Sequence, residues 1–495
     1  MAFITSHLAW AVTVSILPTF LFGYNTGCLN AVESVVFPEH TTAQWATAVS
    51  SFCLGGIVGA HTAGKIADKC GRRMALLMNG LEYVVVGLMH VFVVDMAMLT
   101  GARFLIGVAG GKSTVLTPMY LGEVSPPAIR GSIGTMTQVS VVMGILASIL
   151  IALPYSSEHF WRIVFLPIPV VGLLQVVAGW YALPESPRWL LLNHPDERGQ
   201  EAVRTIECLC GTSGSGVEDD VTEIEMIADR IKDVGTIPGS HDESMTGFED
   251  DASSIEGEIQ MDQEENPRSI LSFLTDPRNR IPVISSLLFP IAQQLSGINA
   301  VFYYSTMFFE GVIDDPKSGT VAAFAVNVVA TLLALPLMDR YGRRTLLSLS
   351  AGGMFTCCVI LTFALEGFLP NNITFAAVLL YICSFGLGLG CIPFFLISEL
   401  IEPEFFGRMQ SLAMTTNWLC NFLVGMGFPF MVEHLGSFSF IPFAVNLFFT
   451  LVYAIVWLPE TRSKSLHEVM GDIERRGRKG HTAVSLSPNE DASIL

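Results

Sequence analysis

The stretch LIGVAGGKSTVLTP, residues 105–118, reads at first like a phosphate-binding loop with a lysine at its centre. A Walker A loop places four residues between its first glycine and the Gly-Lys-Ser/Thr. Here only Val108, Ala109 and Gly110 separate Gly107 from Gly111, and Ile106 holds the place the first glycine should take. Such a loop also follows a short strand in a water-exposed domain. This one is flanked by apolar runs that never return the chain to water. The nucleotide reading fails on both counts, and the question becomes what a lysine does inside an apolar segment.

Composition identifies the runs. Of 495 residues, 51% are hydrophobic and 15% charged, with a mean hydropathy of +0.52; soluble domains carry about 25% charged residues. About twelve apolar stretches stand out, at 9–29, 45–63, 74–94, 99–121, 132–153, 161–183, 281–309, 319–338, 345–366, 374–398, 409–432 and 437–458. Each is long enough, at ~1.5 Å per residue, to cross a ~30 Å hydrocarbon layer. Backbone groups in lipid must bond internally, so the spans are helices or barrel strands. They lack the alternation of barrel strands, which predicts an all-α membrane protein. The first span lacks a basic leader and a small-residue cleavage pattern, so it reads as a membrane helix rather than a signal peptide.

Lys and Arg collect in alternate loops: Lys65, Lys69, Arg72 and Arg73; Arg130; Arg188 and Arg198; Arg340, Arg343 and Arg344; Arg408; and Arg462 with the run ERRGRK. The opposite loops hold little beyond Arg162 and Lys317. The basic side is expected to be cytoplasmic, with both termini there. The opposite loops offer no cysteine pair, so no disulfide framework is expected. Asn372 in NNITF is a glycosylation acceptor by pattern, in a loop too short to favour use. The net charge of −18 comes mostly from Glu218–Glu265, where 17 Asp and Glu stand against 2 Lys and Arg. That segment, within 214–267, reads as largely disordered with a short helix over 218–233. It is either a solvated linker, which composition favours, or a regulatory loop with phosphorylatable serines that binds regulatory partners.

The acidic segment divides six spans from six. The halves carry matching punctuation: GKIADKCGRR against LPLMDRYGRR, YLGEVSPPAIRG against LISELIEPEFFGR, and LPESPRWL against LPETRSKS. Two pseudo-symmetric six-helix bundles are therefore expected, over 1–183 and 281–460, with a cytoplasmic loop at 184–280 and a tail at 461–495. The acids and arginines of these motifs are positioned to lock helix ends together in one state and release them in another. They are Asp68, Arg72, Arg73, Glu123, Arg130, Glu185 and Arg188 in the first half, and Asp339, Arg343, Arg344, Glu399 and Arg408 in the second.

Together with QQLSGINAVFYYST, residues 293–306, these motifs resemble the sugar porter family of the major facilitator superfamily, and the eukaryotic facilitative glucose transporters within it. The resemblance covers about residues 10–468 and implies hexose transport by alternating access. A hexose is a ring of hydroxyls, each a donor and an acceptor. Amides answer both without a membrane-buried charge. The spans supply Gln138, Gln293, Gln294, Asn299, Asn327, Asn417 and Asn421. Each alone would as readily bond helix to helix. The resemblance assigns Gln138, Gln293, Gln294, Asn299, Asn327 and Asn421 to the sugar, with Phe385 and Trp418 near it, and leaves Asn417 as packing. Phe394 takes the place of the family's usual Trp, and Gly386 that of a carboxylate. Arg408 stands nine residues after Glu399 rather than seven.

Asn25 occupies the place where proton-coupled relatives have an aspartate, and an amide cannot titrate. The reading is a facilitative uniporter of hexose, glucose first, at the plasma membrane. A proton symporter using another acid such as Glu82 is the alternative. A sugar receptor is a second, though residues 461–495 are short for an effector tail. No enzyme, cofactor, metal site or nucleic-acid partner is expected; the partners are sugar and bilayer. Lys112 lies ~13 Å from the basic end of its span and Glu82 ~12 Å, by helix rise. An ion pair between them is the favoured reading, ahead of a lysine snorkelling to the headgroups or one lining the cavity with Arg103.

Overall fold

The computed structural model describes residues 5–210 and 270–475, apart from 31, 127, 128, 194, 310, 311, 463, 465–467 and 474. The expected helix over 218–233, and the acidic segment around it, lie outside the described residues. Among the described residues, ten segments are long and apolar enough to cross a membrane, and the last, Phe405–Val456, joins two helices, Pro403–Leu435 and Ile441–Val456. One more crossing, Met96–Val124, is less apolar because it carries Arg103, Lys112 and Glu123. In chain order the spans are Ser6–Gly27, Thr42–Cys70, Arg72–Val91, Met96–Val124, Arg130–Tyr155 and Trp161–Ala182. The second six begin with Pro277–Thr306, Pro316–Tyr341 and Arg343–Leu365. Spans ten to twelve are Asn371–Phe394, Pro403–Leu435 and Ile441–Val456.

The duplication read from the motifs appears in the packing. Span one lies on five, two on four and three on six; seven lies on eleven, eight on ten and nine on twelve. The halves meet through spans two and eleven and, symmetrically, five and eight.

Spans two and four show how the opening stretch is used. A Cβ added at Gly107 would sit 2.0 Å from the Phe52 carbonyl oxygen, and one at Gly111 2.1 Å from that of Gly56. Across the seam, a Cβ at Gly55 would meet the Phe104 oxygen at 1.9 Å and one at Gly59 the Val108 oxygen at 2.1 Å. Glycines four apart on both helices bring the backbones together, the small-residue packing that replaces hydrophobic driving force in lipid. So the glycines of the GGKST stretch serve helix contact. Its polar residues divide their duties. Ser113 donates to the Asn79 Oδ1 at 3.0 Å, and Thr114 donates to the Gly111 carbonyl at 2.8 Å while facing the central cavity. Lys112 forms an ion pair with Glu82 of span three, as the matched depths predicted.

The GRR loops repeat one device. Gly71 and Gly342 have φ of +89° and +86°, where L side chains are strained, and a Cβ on either would strike the carboxylate of Glu185 or Glu460. The bare glycine admits that carboxylate to the next helix's N-terminus. Glu185 Oε1 accepts from the backbone N–H of Arg72 at 2.7 Å and of Arg73 at 3.0 Å; Glu460 accepts from those of Arg343 at 2.8 Å and Arg344 at 3.2 Å. A carboxylate there also meets the positive end of the helix dipole.

Two predictions follow from this packing. Gly107→Leu should destabilise the protein by at least ~1–3 kcal/mol through overpacking, read as melting temperature in detergent. Gly64→Ala, where a Cβ meets nothing within 4 Å, should leave it unchanged. Glu82→Leu and Lys112→Leu should each lower stability by stranding an unpaired charge within the spans, and the double change should recover much of the loss. A double variant no better than the worse single one would show that the pair is not coupled.

Candidate functional site

Span seven breaks at Ser296–Gly297 between helices Arg280–Leu295 and Ile298–Phe309, and span ten breaks between Leu387 and Ile392. Broken helices leave backbone groups without intrahelical partners, tolerable at membrane depth only where side chains or a cavity satisfy them. Here the side chains do so. Ser350 Oγ accepts from the Leu389 N–H at 3.0 Å, and the Gln293 amide donates to the Leu389 and Gly390 carbonyls at 2.7 and 3.1 Å.

From Gln293 an amide chain runs along the cavity wall. Asn417 Nδ2 donates to Gln293 Oε1 and to the Pro290 carbonyl, both at 2.9 Å, and Gln294 Nε2 donates to Asn417 Oδ1 at 3.1 Å. Asn299 Nδ2 donates to Gln294 Oε1, and Tyr303 Oη to Asn421 Oδ1 at 3.0 Å. All of these amides are buried and line a single cavity of about 330 Å³ between the halves, within the ~300–1,000 Å³ range of small-molecule sites. Gln138 and Asn327 line it from spans five and eight, and Phe385, Phe394 and Trp418 supply aromatic wall. The structure therefore gathers every sugar-assigned residue of the sequence reading into one chamber.

Asn417, read as packing, belongs to this chamber. It lines the cavity and bonds both glutamines. Sequence reasoning also missed Thr137 and Gln410. The signal for Gln410 was its place seven residues before Asn417, two turns away on the same helix face. At Gly386, a Cβ would sit 2.7 Å from that of Ala330. Span eight thus packs where the resemblance places a carboxylate, and no Asp, Glu, Lys or Arg lines the cavity among the described residues.

Several lining atoms have no protein partner: Thr137 Oγ1, Asn327 Oδ1, Gln410 Oε1 and Trp418 Nε1. Among the described residues nothing bonds Gln138 either. Buried polar atoms are ordinarily satisfied, so these define where a ligand's hydroxyls or water belong.

On the face opposite the basic loops, hydrogen bonds join the two halves beyond the cavity. Asn30, just after span one, donates to the Phe302 carbonyl at 2.9 Å and Ser305 Oγ at 2.6 Å, and accepts from the Thr306 N–H at 2.9 Å. It clasps span seven where Tyr304 leaves helical geometry, with φ −130°. Lys317 Nζ adds a bond across the halves to Ser156 Oγ at 2.9 Å. Toward the basic face the lining continues through Gly134, Ser398 and Phe406.

At that face, Arg72 reaches Asp68 at 3.1 Å and Glu123 at 2.9 Å, while Arg343 reaches Glu399 at 2.9 Å. Each cluster ties helices of its own half. Glu185 serves backbone N–H groups instead of an arginine side chain. Arg73 donates to the Trp180 carbonyl at 2.6 Å, and Arg344 to that of Ile455. Arg188 and Arg408 are exposed. The side chains of Arg130 and Asp339 lie outside what the structure describes. Deeper in, Arg103 is buried in the first half rather than in the cavity. Its guanidinium donates to the Asn25 carbonyl at 2.9 Å and lies 4.6 Å from the Phe52 ring centre, while the Asn25 amide donates to the Leu21 carbonyl at 2.8 Å.

Comparison with known proteins places this geometry. The mouse solute carrier family 2 facilitated glucose transporter member 3 is 33% identical over 503 residues, covering 96% of this chain and 95% of the relative. Human facilitated glucose transporter member 14 is 33% identical over 499 residues, covering 95% and 89%. In fold, the chain is similar to the xylose transporter XylE from E. coli in a partially occluded inward-open conformation. The TM-score is 0.73 at 22% identity, covering 93% of this chain and 100% of that one. The family profile described as sugar (and other) transporter matches residues 10–472, and the chain belongs to that family.

Proposed function

We propose that this protein carries hexose, glucose foremost, down its gradient across the plasma membrane, with its basic face in the cytoplasm. The carrying observation is the chamber itself: amides and aromatics around a cavity with no charged residue in its lining among the described residues. Relatives about one-third identical are facilitated glucose transporters. Residues 1–183 and 281–460 act as the two moving bodies, hinged about the chamber. The Asn30 clasp holds one entrance shut while the other stands open, and its release with closure of the basic side presents the sugar to the opposite face. The basic-face clusters keep each half's helix ends together as it moves.

Uniport is favoured over proton symport by what faces the sugar. Asn25 is a fully buried amide. Glu82 is tied to Lys112 between spans three and four, and neither lines the cavity. A symporter needs a group that changes charge within the transport cycle.

In proteoliposomes, labelled glucose or fructose should equilibrate without exceeding the outside concentration, with or without an imposed pH gradient. Accumulation driven by the gradient would exclude uniport. Gln293→Ala and Asn299→Ala should each cut flux about tenfold or more, since stranding a buried partner costs ~1–3 kcal/mol. Asn417→Ala should do the same, because it removes a partner from both glutamines. Full uptake by Gln293→Ala at equal protein content would take the amide chain out of the sugar path.

A further inference from the structure

Span eleven presents a ladder to the cavity. From the basic face inward, the rungs are Phe406, Gln410, Met414, then Asn417, Trp418 and Asn421. Gln410 is a single polar rung between two apolar ones. It lies seven residues before Asn417, which puts it two turns, or about 10 Å, nearer the basic mouth on the same helix face. Its Oε1 is buried, lines the cavity and has no partner. Asn417, by contrast, is fully engaged in the amide chain. From the first half, Thr137 offers a second buried oxygen without a partner to the same cavity.

A buried carbonyl oxygen without a donor is costly, and such atoms in folded proteins are met by water or a ligand. The local chemistry specifies the ligand. With apolar rungs above and below, the site suits a neutral donor and gives no counter-charge to an ion. We propose that Gln410, assisted by Thr137, forms a second hydroxyl-binding station between the amide chain and the basic-face mouth, occupied by the sugar as it enters or leaves on that side. The inference rests on the sugar reading above and deepens it. In the state that opens to the opposite face, this part of the path is shut, so the station acts on one side only.

The test uses the full chain in right-side-out and inverted vesicles, with initial rates of labelled glucose and fructose entry measured from each face. Gln410→Leu should raise the half-saturating sugar concentration from the basic face about two- to tenfold, as expected for one lost hydrogen bond. From the opposite face it should stay within about twofold of the native protein. Gln410→Met preserves length and flexibility without the carbonyl; it carries the measurement if Gln410→Leu lowers the melting temperature. Equal shifts from both faces, or no shift with either variant, would overturn the station and leave water as its occupant. If the native protein moves neither sugar, the underlying reading fails instead, and the two failures are told apart by that control.

Discussion

A charge at the centre of a bilayer costs at least ~2.5 kcal/mol unless it is paired or wet, and this fold is arranged around that constraint. Lys112 and Glu82 neutralise each other between spans three and four. Arg103 is set against the Asn25 carbonyl and the Phe52 ring inside the first half. The arginines of the repeated motifs stay at the basic face. What remains between the halves is a chamber of amides, hydroxyls and aromatic rings, with no charged residue in its lining among the described residues, which can desolvate a polyhydroxyl solute by replacing its water contacts.

The same economy shapes the helices. Lipid provides little force to press helix on helix, so spans two and four approach through paired glycines. Span ten, which breaks beside the cavity, is repaired by side chains: Gln293 covers its carbonyls and Ser350 its N–H. Gln293 thus both holds the break and lines the cavity, and Asn417 links it to Gln294. The duplicated glycine–glutamate contacts at Gly71 and Gly342 fix the basic-face ends of each half as units. The halves touch one another through spans two and eleven and through spans five and eight.

Much of this was legible in the sequence. Apolar length predicted the crossings, matched motifs the duplication, and residue depth the Glu82–Lys112 pair, because helix rise and span order fix depth without knowledge of packing. The set of amides that gathers at the cavity was legible through the resemblance. What escaped depended on facing. Asn417 reads as packing until the broken span seven brings both glutamines against it. Gln410 and Thr137 carry no motif, and only the cavity shows that their oxygens are unmet. Asn30 hides in a loop, since its role exists only where the bend at Tyr304 exposes a carbonyl and an N–H of span seven. The roles of the glycines in the GGKST stretch needed the partner helix, because a close approach is a property of two surfaces.

The central claim is that a neutral chamber moves a neutral solute with no ion beside it. Electrical recording from the reconstituted protein on a supported membrane during a rapid hexose jump tests that claim most directly. The account predicts sugar flux with no sugar-dependent charge displacement at any pH between 5 and 8. A displacement that grows in proportion to the flux would contradict it.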